Sequence, residues 1–151
     1  MERKKVDIRL VHSPSELEKA FRIREEVYIK EQRIKREDEF DEWDQESRQF
    51  IALVSGVACG TARWRTTPEG AKMERFAVLK KYRGRGIASA LVKNIVKDIH
   101  ERKGAIKMYL YAQVDVKELY QKEGFKPEGD IFVECSIPHQ LMVLEESSNM
   151  N

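Results

Sequence analysis

The segment Tyr82-Arg83-Gly84-Arg85-Gly86-Ile87-Ala88-Ser89 sets two glycines and a run of small residues directly before an amphipathic stretch. Ile87, Ala90, Leu91, Ile95 and Ile99 then recur at helical spacing, and Gly104 ends the run. Glycines in front of a helix are costly unless the backbone itself must turn tightly or be approached closely. The first turn of a helix carries unpaired amides and the positive end of the macrodipole, so this arrangement suits an anion, above all a phosphate. The residues disfavour two common phosphate motifs. A Walker-type loop closes on Gly-Lys-Ser/Thr, and here the closing residues are Gly86-Ile87-Ala88. A dinucleotide fingerprint needs a third small residue at a spacing that Gly84-Arg85-Gly86 fits poorly. On glycine content alone, a tight turn in a solvated basic loop is the preferred explanation.

The elements around this segment follow from periodicity. "DIRLVH" alternates as a strand. Ser13, Pro14 and Glu16 then open a helix with a cap and a capping box, and Leu17, Ala20, Phe21, Val27 and Tyr28 fall largely on one face. The charged segment 30–47 predicts a loop or short helix anchored by Phe40 and Trp43. A hairpin turns at Ser55-Gly56, "TTPEG" forms a second turn, and "AKMERFAVLK" is a further strand that leads into the glycine segment. After the long helix come the strand "IKMYLYA", a short helix ended by Gly124, and late strands "IFVECS" and "QLMVLE". Strands and helices in this order predict an α/β or α+β layer fold around one mixed sheet.

Bulk properties narrow the class. The 151 residues suit one domain with a single core, expected over 1–146, followed by a frayed tail over 147–151. Apolar residues make up 41% and charged residues 36%, and the net charge is only +2, so no nucleic-acid partner is expected despite "KKYRGRG". Cys59 and Cys135 have neither metal-ligand nor disulfide spacing, so no metal is expected. No segment approaches membrane-spanning length and the N-terminal stretch lacks an apolar core, which predicts a cytoplasmic protein with no membrane partner.

Context changes the weight of the glycine segment. Arg83-Gly84-Arg85-Gly86-Ile87-Ala88 follows Val78 at a strand end and resembles the pyrophosphate-binding motif of the GNAT superfamily of acyl-CoA-dependent N-acyltransferases. "LYQKEGF", Leu119 to Phe125, stands where that superfamily places its second motif. "IREEVYIKEQ", "EFDEWD", "GTARWR", Ala112-Gln113 and "IPHQLM" together resemble the small bacterial YjcF-like group. Ser136 departs from that group, which usually has glycine before Ile-Pro-His. The resemblance implies a mixed, mostly antiparallel sheet flanked by helices, with acetyl-CoA as co-substrate. It implies a coenzyme site made of Phe76, Ala77, Val78, Arg83, Gly84, Arg85, Gly86, Ile87, Ala88, Ser89, Gln113 and Tyr120. The amides of Arg85 to Ser89 would cradle the pyrophosphate, and the Val78 amide would face the carbonyl oxygen.

Amine attack on a thioester also needs a free amine and a proton for the departing thiolate. The resemblance makes Tyr120 the candidate acid, against the alternative of a core tyrosine beside Leu119. Glu74 is the candidate base. Strand alternation puts it on the side of Phe76 and Val78, and the competing expectation is an ion pair with Arg63 or Arg65. Arg24, Glu31, Gln32, Asp41 and His139 are candidates for the acceptor pocket, His139 most of all. Cys135 has no evident base, so no covalent acyl-enzyme is expected. The acceptor would be a small-molecule or peptide amine, and a homodimer is left open. Two further functions remain at this point: an acyl-CoA-binding module that moves no acyl group, and, more remotely, an acyltransferase like the acyl-homoserine lactone synthases.

Overall fold

The structure is a computed structural model and describes residues 5–145; the tail expected to fray over 147–151 lies outside them. Seven strands form one sheet: β1 (Val6–Leu10), β2 (Arg48–Val54), β3 (Val57–Thr67), β4 (Gly70–Val78), β5 (Met108–Gln113), β6 (Lys126–Glu134) and β7 (Ile137–Leu144). Their order is β1-β2-β3-β4-β5-β7-β6. Every neighbouring pair is antiparallel except β4–β5. This is the mixed, mostly antiparallel sheet that the resemblance implies.

The helices are α1 (Pro14–Arg24), α2 (Arg36–Glu39), α3 (Ile87–Lys103) and α4 (Lys117–Lys122). Ser13 caps α1, its side chain accepting from the Glu16 amide, and Pro14 opens it, as the residue types require. The helix then widens into a π-helical turn over Glu25–Glu31. Its inward face is Ala20, Ile23, Arg24 and Val27, so the buried stripe includes an arginine and Ile23, while Leu17 and Phe21 are only half-buried. On the opposite face of the sheet α3 buries Ile87, Leu91, Val92, Ile95 and Ile99 against Trp64, Met73, Met108 and Leu110. The two faces therefore carry different cores: a large apolar one under α3, and a small apolar cluster of Ile23, Val27 and Ala77 under α1 beside buried charge.

Two irregularities of β4 shape everything beyond. First, β4 and β5 pair only at Ala71 with Met108 and Lys72 with Tyr109, then separate. Second, Thr61 lies opposite Ala77 and Arg63 opposite Glu74, so the two residues Arg75 and Phe76 on β4 face the single residue Ala62 on β3. Arg75 takes a positive φ of 62° at this bulge. The extra residue resets the alternation. Met73, Phe76 and Val78 pack on the α3 core, while Ala77 faces α1 and Glu74 pairs with Arg63 on that side. Glu74 and Phe76 thus lie on opposite faces, which corrects the placement expected from simple alternation.

The β6–β7 hairpin turns at Cys135 and Ser136, with φ of 53° and 63°. Consecutive left-handed residues define a tight hairpin turn that glycine fits best. Replacing Ser136 by glycine should raise stability by about 0.5–1 kcal/mol. Thermal unfolding would register this as a rise of a few degrees, and an unchanged or lower midpoint would contradict the strain argument.

Candidate active site

Where β4 and β5 part, a cleft of about 1010 Å³ opens between the glycine segment and the charged face under α1. Gly86 ends the loop as the N-cap of α3, with φ 78°, and no side chain caps the helix. The Ala90 amide donates to the Gly86 carbonyl at 3.0 Å and closes the first intrahelical turn. The amides of Ile87, Ala88 and Ser89 precede it, and these residues line the cleft. A seventeen-residue helix thus aims its positive end at the cavity. Gly84, with φ 79°, and Gly86 have nothing within 4 Å of where a Cβ would stand. Both are glycine for their backbone angle, not because a side chain would strike a neighbour.

The strand groups beside this turn follow from the ladder. The Leu79 amide donates to the Cys59 carbonyl, and bonded pairs alternate in an antiparallel ladder. Thr61–Ala77 is then the next bonded pair, and Val78 turns its amide and carbonyl toward the gap. Arg83 Nε donates to that Val78 carbonyl at 2.9 Å. The Tyr28 hydroxyl, from the π-helical turn, donates to the Phe76 carbonyl. Ala77, by contrast, bonds to β3 and packs against Ile23 and Val27, so its place in the coenzyme set is a wall contact.

Tyr120 stands in α4 with its ring edge-on to Phe76 at 5.5 Å and to Phe125 at 6.3 Å. It is 4% exposed and lines the cleft. Burial, and then the neighbouring Tyr28, push its phenol above the ordinary value, so the group holds its proton. Gln113, also in the wall, exchanges side-chain amide bonds with Gln32. His139 lies across from Gln113 on β7. Its ring stacks on Phe132 and its Nδ1 lies 2.7 Å from the Ile137 carbonyl. A carbonyl accepts only, so Nδ1 is the donor in this contact and Nε2 is the ring nitrogen that it leaves unused.

Other expected site residues are drawn elsewhere. Arg24 is fully buried and binds Glu39 and Asp44; it holds the fold and does not line the cleft. Glu31, expected in the acceptor pocket, pairs bidentately with Arg83 on the surface and does not line the cleft, whereas Arg83 does. Arg85 points away, over the Tyr82 ring at 5.1 Å. Asp41 reaches the cleft but binds Arg63 and Arg75. Glu74 receives Arg63, Arg65 and Lys72. Burial alone would raise its pKa, but the bond from Arg65 and the charges of Arg63 and Lys72 prevail and hold it down to about 2. A carboxylate so stabilised is a poor proton acceptor near neutral pH, so the geometry favours the ion-pair role over the base. The sequence offered no clear signal for Tyr28, Arg65, Lys72 and Tyr111, which the sheet register and the π-helical turn bring to the cleft.

Glu74→Gln leaves three cations short of an anion and should cost about 3 kcal/mol at pH 7. The folded pKa lies below the ordinary 4.5, so the ionised group's contribution is fully present above 4.5 and disappears as pH falls toward 2. Denaturant midpoints of wild type and variant should therefore converge in acid; a constant difference from pH 7 to pH 2 would contradict the assignment.

The GNAT acetyltransferase domain family matches residues 14–146. The chain is 35% identical over 148 residues to the Bacillus subtilis protein YyaT, covering 96% of this chain and 99% of that one. It is 32% identical over 135 residues to the uncharacterized N-acetyltransferase YjcF of the same organism, covering 89% and 96%. The crystal structure of Escherichia coli ElaA superposes with a TM-score of 0.84 over 93% of this chain and 100% of that one, at 22% identity. Among the described residues no helix is long and apolar enough to cross a membrane, and no metal-binding group is found. With family coverage from Pro14 into the end of the chain, and with the uncapped α3 terminus beside a parted strand pair, this protein is an acyltransferase of the GNAT acetyltransferase family.

Proposed function

We propose that the protein transfers an acetyl group from acetyl-CoA to a primary amine by direct attack in a ternary complex. The observation that carries the proposal is the single cleft shared by the α3 amides, the Val78 amide and Tyr120. Acetyl-CoA supplies the thioester, whose carbonyl carbon is open to an amine. The amides of Ile87, Ala88 and Ser89 bind the pyrophosphate, and Val78 and Phe76 align the pantetheine arm along the gap beside β5. The Val78 amide is placed to stabilise negative charge on the carbonyl oxygen. Tyr120 holds a proton that can pass to the thiolate as the carbon–sulfur bond breaks, and water restores it. The proton lost by the amine goes to water or to His139, because the ion pairs of Glu74 make that carboxylate a poor acceptor.

Free-thiol release in a screen of amines with acetyl-CoA tests the activity. With an acceptor in hand, Tyr120→Phe should slow turnover by roughly 10²-fold and leave coenzyme affinity nearly unchanged, because the anchoring groups are backbone amides. Full turnover in the variant would make Tyr120 a packing residue. Gly86→Val should weaken coenzyme binding in calorimetry through its strained backbone angle, and wild-type affinity in a folded variant would overturn the phosphate site.

A further inference from the structure

On the face of the cleft away from α3, five cations and four carboxylates are joined by ion pairs: Arg24, Arg63, Arg65, Lys72 and Arg75 with Glu39, Asp41, Asp44 and Glu74. One positive charge is left over. Its location is legible from the pairing. Arg24, Arg63 and Arg75 each touch two or three carboxylates, whereas Arg65 and Lys72 share Glu74 as their one anionic partner, and that carboxylate also serves Arg63. Only Nε of the Arg65 guanidinium is engaged; its two terminal nitrogens have no hydrogen-bond partner among the described residues. Both side chains line the cleft and are largely shielded, 15% and 21% exposed.

Two aromatic rings flank these donors. Arg65 lies 4.5 Å from the centroid of Trp43, and Lys72 lies 5.1 Å from that of Tyr111. Elsewhere in the cleft wall, by Cys135, the carboxylates of Asp38 and Glu134 make no ion pair among the described residues. The cleft is thus bipolar: spare donors with aromatic walls at one part, and solvent-exposed carboxylates at another. A dianion would be repelled by the second part and a polyamine by the first. A monocarboxylate carrying an ammonium group suits both, and an Arg–carboxylate contact of this sort is among the stronger hydrogen-bonded pairs.

We propose that the acceptor is a zwitterionic amine, an amino acid or a related amino carboxylate, whose carboxylate is bound by Arg65 and Lys72 between the rings of Trp43 and Tyr111. The proposal rests on the acyl-transfer reading of the cleft and names the substrate class within it. The experiment compares the common amino acids with their amides and methyl esters as acceptors of acetyl-CoA, and measures Trp43 fluorescence on titration with N-acetyl amino acids and with their amides. Amino carboxylates should be used with KM roughly 10- to 100-fold below that of their esters, the range expected for losing a charge-assisted bond. Arg65→Gln and Lys72→Met should raise KM for the carboxylate form toward that of the ester while kcat and the ester's KM hold within a few-fold. Should a variant fail to fold, the wild-type comparison of acid, amide and ester decides. Equal use of esters and acids, a uniform loss for both in the variants, or fluorescence indifferent to the carboxylate would overturn the proposal. Calorimetry with CoA on the same protein reports the coenzyme site separately, so tight CoA binding without carboxylate preference refutes the acceptor class alone, and absent CoA binding refutes the acyl-transfer reading.

Discussion

Arg63 is the constraint on which the charged face of the cleft depends. It is fully buried in β3 and binds Asp41, Asp44 and Glu74. A guanidinium stripped of water is tolerable only with such compensation, and its carboxylates keep it firmly protonated against the effect of burial. Two of these carboxylates come from the short acidic segment after α2. Arg63 therefore pins that segment onto the sheet, and Arg24 binds Glu39 and Asp44 from the helix above. Phe40 completes the clamp, its ring 4.7 Å from the Arg24 guanidinium and 5.3 Å from the Phe21 ring. Apolar burial holds α3 on the other face, so the two sides of one sheet are secured by different forces.

The same charges bear on the α3 side of the cleft through β4. Arg75, the bulged residue, donates to the Glu39 carbonyl and to Asp41. Those bonds offset the cost of its left-handed backbone, which runs to about 1–2 kcal/mol for a side-chain-bearing residue. The bulge turns Glu74 toward Arg63 and Phe76 toward Tyr120, and the strand beyond it stands clear of β5. The π-helical turn brings the Tyr28 hydroxyl onto the Phe76 carbonyl at the same place. Irregular backbone in both the strand and the helix thus converges where a thioester would lie, in keeping with the frequent use of π-bulges and β-bulges at functional sites.

Much of this was legible in the sequence because it is local. The cap at Ser13, the turn at Ser55-Gly56, the stripe of α3 and its stop at Gly104 depend on residues within a few positions of one another. The motifs also pointed to the glycine loop and Tyr120, which the fold brings into one cleft wall. The bulge was not legible: Arg75 has no intrinsic preference for positive φ, and its partners lie more than thirty positions away. The acidic segment has the composition of a solvated loop, and only the tertiary fold shows the charges of Glu39, Asp41 and Asp44 consumed by Arg24, Arg63 and Arg75. For that reason Arg24 looks like a pocket residue in the sequence and is a buried network member in the structure, while Asp41 lines the cleft with its charge taken up by Arg63 and Arg75. Arg65 and Lys72 face the cleft through sheet register, opposite each other on β3 and β4, which single-strand periodicity cannot reveal.

In the proposed reaction, backbone amides at the start of α3 and the free edge of β4 hold the coenzyme. Amide chemical shifts recorded while CoA is titrated into the isotopically labelled protein test it most directly. The amides of Ile87, Ala88, Ser89 and Val78 should shift together, with the largest changes of the molecule, while those of the exposed β6 strand stay still. Saturable binding that leaves these four amides unmoved, or no binding at all, would contradict it.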